Sequence, residues 1–136
     1  MLKKIYFSFL ICCSFFVSSD PEDKIVYVVK PSAETPQVVT KGDAADDPVI
    51  WLNNLSTSNS LIFGTDKKSG VYTYDLDAKK IGYTKLGNIN NIDLRSVNLD
   101  EFGNYTFIFA SNRTTSTLDL WIYEDKAMDA LAKSKN

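Results

Sequence analysis

Three groups of residues in this chain carry side chains that can do chemistry. Asp43, Asp46 and Asp47 lie within five residues of one another. Carboxylates crowded in this way repel, and each raises the pKa of its neighbours. A hard divalent cation relieves that repulsion, and a ligand set made only of oxygen favours calcium over zinc. A solvated acidic loop is the plainer reading of the same residues. The spacing is not that of an EF-hand, which needs ligands at alternate positions and a Glu at the twelfth. The second group is basic: Lys67, Lys68 and Arg113. If folding brings them to one point they suit a phosphate-rich ligand, and if not they are ordinary solvated turn residues. The third group is Asn90-Asn91-Ile92-Asp93, whose oxygens suit either an Asx-turn or a metal.

Composition excludes several alternatives. The chain of 136 residues has no histidine, so His-type zinc sites, Ser-His-Asp triads and Cys-His dyads are absent. Its two cysteines, Cys12 and Cys13, are adjacent and cannot form a disulfide framework. A formal net charge of −2 removes the electrostatic case for a nucleic-acid binder.

The elements that must position these groups are short and β-rich. Residues 1–19 open with Lys3 and Lys4, continue as an apolar run and end in Val17-Ser18-Ser19. This is the layout of a secretory signal peptide, and the run is too short to span a bilayer. A secreted or periplasmic protein is expected, with Cys13 as an alternative lipid-acceptor site. Residues 20–37 hold an expected strand, Lys24-Ile25-Val26-Tyr27-Val28-Val29, followed by a linker containing Pro31 and Pro36. After an acidic loop come strands at Val49–Leu52, Leu61–Thr65, Val71–Tyr74, Ile81–Thr84, Tyr105–Ala110 and Leu118–Tyr123, split by polar turns. A weak helical tail follows within residues 125–136.

Short strands at this spacing predict an all-β sandwich, barrel or propeller. An internal repeat favours the propeller. Phe63-Gly64-Thr65-Asp66-Lys67 aligns with Phe109-Ala110-Ser111-Asn112-Arg113 at an offset of 46 residues, and Val71-Tyr72-Thr73-Tyr74 aligns with Leu120-Trp121-Ile122-Tyr123 at an offset of 49. A repeat of roughly 40–50 residues with four strands matches propeller blades. Equivalent turns of neighbouring blades open on the same face, which would bring Lys67, Lys68 and Arg113 together. Adjacent residues on an extended segment face opposite ways, so only one of the two lysines is expected to point inward. The chain supplies about two blades, too few to bury both faces of each, so it is expected to be an incomplete propeller and marginally stable alone.

Several of these segments resemble one known family. Asp43-Ala44-Ala45-Asp46-Asp47-Pro48-Val49-Ile50-Trp51 and Asn90-Asn91-Ile92-Asp93-Leu94-Arg95 are similar to the two signatures of the β-propeller phytases. Gly64-Thr65-Asp66-Lys67-Lys68-Ser69-Gly70 and Ala110-Ser111-Asn112-Arg113 resemble turns of the family's first blades. The resemblance covers residues 38–124 and implies a six-bladed propeller that hydrolyses phytate with calcium, here about two blades of it. It implies that Lys67, Lys68 and Arg113 hold substrate phosphate. It places the Asp47 side chain and the carbonyls of Pro48 and Ile92 at a structural calcium site. The family's catalytic acidic cluster belongs to later blades, so no catalytic residue is assigned here. Ser96 departs from the second signature, which usually carries a Tyr there. The expected protein is a monomeric N-terminal part of a secreted phytase, with a non-catalytic binding module or an inactive truncated fragment as alternatives.

Overall fold

A computed structural model of the chain describes residues 25–134. The expected signal peptide and Lys24 lie outside the described residues. The chain divides into Met1–Lys30 and Pro31–Asn136. In the first unit, residues 25–30 form neither helix nor strand and are exposed. The expected strand at 24–29 is therefore not formed over its described part. β-branched and aromatic content makes a segment ready for a ladder, but a strand exists only when another strand pairs with it.

The second unit holds two antiparallel sheets. The first has the order β1 (Ala45–Trp51), β2 (Leu61–Asp66), β3 (Gly70–Tyr74) and β4 (Lys80–Lys85). The second has the order β5 (Ile89–Asn98), β6 (Asn104–Asn112) and β7 (Thr117–Glu124). One helix, α1 (Asp125–Lys133), follows among the described residues. The all-β expectation holds for the sheets, and neither sheet closes into a barrel. Two readings are refined by the strand bounds. β1 starts at Ala45, so Asp46, Asp47 and Pro48 belong to a strand rather than a loop. Asn90 to Asp93, whose oxygens suited either an Asx-turn or a metal, lie inside β5 at a register irregularity between Ile89 and Ile92.

Turn chemistry sets the hairpins. Gly70 has φ +153°, and a Cβ there would lie 2.1 Å from the Thr84 carbonyl oxygen, so the β2–β3 turn can close against β4 only with glycine. Gly87, at φ +96°, lets the entry to β5 run against Thr114, whose hydroxyl would sit 2.4 Å from an added Cβ.

The core lies between the two sheets. Strand alternation turns Leu61, Phe63 and Val71 of the first sheet toward Ile92, Ile108 and Ala110 of the second. A small void of about 40 Å³ remains between Phe63, Val71, Thr73, Ile92, Ile108, Trp121 and Tyr123. The opposite face of the first sheet carries Tyr72 and Tyr74, both buried. The Tyr83 ring lies 4.7 Å from that of Tyr72, and the Val39 N–H donates to the Tyr72 hydroxyl at 3.3 Å. The tail at 125–136 resembles no blade strand in sequence, yet its helix α1 joins the core. Met128 and Ala132, one helical turn apart, are buried in the main cluster. Asp129 accepts from the Asn53 side-chain amide at 2.7 Å and pairs with Lys133, while Asp125 accepts from the Thr106 hydroxyl at 2.8 Å.

The sheets are stitched where β1 and β2 meet the irregular start of β5. Thr65 is 2% exposed, and its hydroxyl accepts from the Asp47 N–H at 2.9 Å and donates to the Asn90 carbonyl at 3.0 Å. The Asp47 carboxylate accepts the Ile92 N–H at 3.0 Å. Thr65→Val should orphan both backbone groups and lower stability by about 2 kcal/mol, whereas Thr65→Ser should cost about 1 kcal/mol for the lost methyl. Urea unfolding of the two variants checks this, and equal losses would show that the methyl, not the hydroxyl, matters.

Candidate functional site

The three predicted cations line one open cleft. It has a volume of about 390 Å³ and is bounded by Asp43, Lys67, Lys68, Asn88, Asn90 and Arg113. The β2–β3 turn brings the two lysines, and the turn after β6 brings Arg113. The Arg113 N–H donates to the Asn88 carbonyl at 2.8 Å, and the Thr114 hydroxyl accepts the Asn88 N–H at 2.7 Å. These bonds tie the β6–β7 turn to the entry of β5, so the second sheet delivers its arginine beside the first sheet's lysines. Both lysines border the cleft. Alternation applies to extended backbone, and residues 67–69 form a turn. Asp66 shapes that turn, accepting the Lys68 N–H at 3.0 Å and the Thr40 hydroxyl at 2.5 Å. Burial alone would push the Asp66 carboxyl up, but these hydrogen bonds outweigh it and hold it below the usual range.

The cations differ in how they are held. The Lys67 ammonium bonds Asp43 at 2.7 Å and lies 3.5 Å from Asp46. Lys68 reaches the Lys41 carbonyl at 2.6 Å. The Arg113 guanidinium makes no salt bridge among the described residues. The hydrogen bond from Lys67 holds the Asp43 carboxyl below its usual value, with the charges of Lys67, Lys68 and Arg113 adding to it. The same hydrogen bond raises the Lys67 ammonium, assisted by the charges of Asp43 and Asp46.

The acidic triplet is split by this geometry. Asp43 and Asp46 turn to Lys67, whereas Asp47 turns to the Ile92 N–H. The neighbours Asp46 and Asp47 diverge where the register of β1 on β2 is irregular, between Ala45 and Pro48. Among the described residues no group of three acidic, His or Cys side chains is arranged to hold a metal ion. Asp47 and Ile92 instead border a shallow hollow of about 350 Å³ with Asn91, Asp93 and Ser111. One oxygen of the Asp47 carboxylate is engaged by the Ile92 N–H, and Pro48 is not among the residues that border the hollow. Calcium takes six to eight oxygens, so Asp47 with the carbonyls of Pro48 and Ile92 would supply only part of a shell.

Three members of the cleft, Asn88, Asn90 and Asp43, had no cleft role in the sequence reading. Asn88 follows Gly87, and the glycine is the signal that the backbone there makes a close approach. Asp43 was visible as an acid, but its partner lies 24 residues away and only the fold shows it.

Residues 6–135 match the family described as Phytase. The chain belongs to the Phytase family. It is also similar to the 3-phytase of Bacillus subtilis (strain 168), with 42% identity over 69 residues. That stretch is 51% of this chain and 18% of the relative, so the chain spans well under two thirds of the length of the curated relative it matches.

The Asp43–Lys67 pair gives the family member a titration signature. Asp43 has a depressed folded pKa, so its contribution is present above 3.8 and lost as pH falls through the depressed value. Lys67 has an elevated one, so its contribution is present below 10.5 and lost as pH rises through the elevated value. The Asp43 carboxyl should therefore titrate below 3.8 by carbon NMR, and Lys67→Met should move it upward. An unmoved midpoint would sever the pair.

Proposed function

We propose that this chain provides the phosphate-gripping part of a secreted, calcium-dependent phytase built as a β-propeller. The observation that carries the reading is the meeting of Lys67, Lys68 and Arg113, from two successive sheets, in one open cleft. Membership of the Phytase family and the likeness to a 3-phytase support phytate, a ring of phosphate monoesters, as the ligand class. The repeat relating the two sheets supports the propeller, and the layout of residues 1–19 supports secretion. No helix among the described residues is long and apolar enough to cross a membrane.

The chemistry follows from how each cation is held. Arg113 offers a planar fork that binds two phosphate oxygens at once and fixes the orientation of the group. Lys68 acts as a point charge at the cleft wall. Lys67 enters by exchange: a phosphate oxygen takes the place of the Asp43 carboxylate on its ammonium. Asn88 and Asn90 complete the wall. Asp47, Pro48 and Ile92 would hold calcium at the neighbouring seam, where it would fix the position of β5 and hence of Asn88 and Asn90. When bound, calcium supplies positive charge to phosphate oxygens and lowers the pKa of water. The described residues bind and orient; the acidic residues that activate water belong to parts of the family fold that this chain does not span.

Titration of the chain with phytate should shift the resonances of Lys67, Lys68 and Arg113 together. Arg113→Ala should weaken binding by at least about tenfold, roughly 1.4 kcal/mol, and in a complete enzyme it should lower turnover by a similar factor. Unchanged affinity in that variant would remove the phosphate role from the cleft. Calcium at about millimolar concentration should raise the melting midpoint, with most of the rise lost in Asp47→Ala relative to that variant's own calcium-free value. An equal rise would place the ion elsewhere.

A further inference from the structure

The groups that hold the two cleft lysines come from one short segment. Residues 31–44 form neither helix nor strand, yet the end of this stretch runs along the β2–β3 turn. The Ala44 carbonyl accepts the Lys67 N–H at 2.7 Å, the Asp43 carboxylate accepts from the Lys67 ammonium at 2.7 Å, and the Lys41 carbonyl accepts from the Lys68 ammonium at 2.6 Å. A Cβ built on Gly42 would lie 3.5 Å from the Lys68 ammonium, so the backbone of the segment passes beside that side chain. Ala44 is buried, but Lys41, Gly42 and Asp43 are exposed. A segment with no ladder and little burial is not fixed by its own structure and must be anchored from outside.

Two side chains of the first sheet supply the anchors. The Tyr72 hydroxyl accepts the Val39 N–H at 3.3 Å, a long bond. Asp66 makes the short one. Its Oδ1 accepts both the Thr40 hydroxyl at 2.5 Å and the Lys68 N–H at 3.0 Å, so a single oxygen joins the segment to the turn. Asp66 is the last residue of β2 and is paired with Ala45 of β1 and Gly70 of β3, so rigid backbone presents that oxygen. The residue is fully buried, and no cation pairs with it among the described residues. Burying a carboxylate without a cation costs stability. What it gains is strength in its two bonds, because a charged acceptor holds a hydroxyl or an N–H more firmly than a neutral one. Neither Thr40 nor Asp66 borders the cleft, so both act on it only through the residues they hold.

We propose that the Thr40–Asp66 clasp is a positioning device for phosphate binding, which holds residues 41–44 against the β2–β3 turn so that they aim the Lys67 and Lys68 ammonium groups at the cleft. The inference rests on the phosphate reading of that cleft. Without the clasp, the Lys41 carbonyl and the Asp43 carboxylate move with a loose segment, and two long side chains lose their fixed place. The ligand must then order them itself, at a cost in affinity. Arg113 is held from the second sheet, through the Asn88 carbonyl, and does not depend on the clasp.

Titration of the whole chain with phytate, followed at the resonances of Lys68 and Arg113, tests it in two variants. Thr40→Val keeps the shape of the side chain and removes the donor, at a half-buried position outside the strands. It should weaken phytate binding at least about fivefold, with the Lys68 response reduced, the Arg113 response retained and the far-ultraviolet dichroism of the sheets unchanged. Thr40→Ser keeps the hydroxyl and should bind as the wild type does. A loss that Thr40→Ser shares, or one that falls on Arg113 as heavily as on Lys68, marks a general defect of the fold and overturns the proposal. Wild-type binding that Thr40→Val leaves intact overturns this proposal alone. A wild-type chain that binds no phytate overturns the phosphate reading, and the positioning role with it.

Discussion

The architecture depends on one seam, where β1 and β2 of the first sheet meet the start of β5. β5 does not run regularly there: its register with β6 is broken between Ile89 and Ile92, so ladder pairing cannot satisfy every backbone group. The groups are satisfied from the other sheet. Thr65 serves the Asn90 carbonyl and Asp47 serves the Ile92 N–H. A buried backbone group left unpaired costs about 1–3 kcal/mol, so the irregularity in one sheet dictates the position of the other. The core between Phe63, Val71, Ile92 and Ile108 is packed in the orientation that this seam imposes.

The cleft is a consequence of the same seam. Once β5 is held against β1 and β2, its first residues sit beside the β2–β3 turn, and the β6–β7 turn follows through the Arg113–Asn88 bond. Three cations brought together would repel one another. The carboxylates of Asp43 and Asp46 relieve this for Lys67, the innermost of them, whose side chain is 16% exposed. Lys68 spends its ammonium on a carbonyl, which engages its donors without cancelling its charge. The cleft is thereby left cationic on its open side and neutralised at its wall, a state in which an anion can exchange for a carboxylate.

The two faces of the first sheet and the two of the second are treated differently. Tyr72, Tyr74 and Tyr83 cover one side of the first sheet together with the segment around Val39. The inter-sheet core covers the next pair of faces, and α1 closes one end of it with Met128 and Ala132. The outer face of β7 is open.

Much of this could be read in the sequence because it is local. Period-two alternation and turn residues located β2, β3, β4, β6 and β7 to within a residue or two, and the repeat between them anticipated two antiparallel sheets, of which the first has four strands and the second three. The basic trio was legible for the same reason, since Lys67 and Arg113 directly follow strands and Lys68 comes one residue later. What the sequence could not determine are matters of pairing at a distance. Residues 24–29 carry a strong strand signal, but a strand requires a partner edge, and composition does not say whether one is free. Asn90 to Asp93 suited an Asx-turn as well as a metal, yet Asp47 and Thr65, far away in sequence, supply the bonds that let them stay within β5. The acidic triplet read as one charge cluster because its members are close in sequence, while the fold gives Asp43 and Asp46 to Lys67 and Asp47 to the Ile92 N–H. Local propensity is encoded residue by residue, whereas the partner of each hydrogen bond and charge is chosen by whichever distant group the fold brings within about 3 Å.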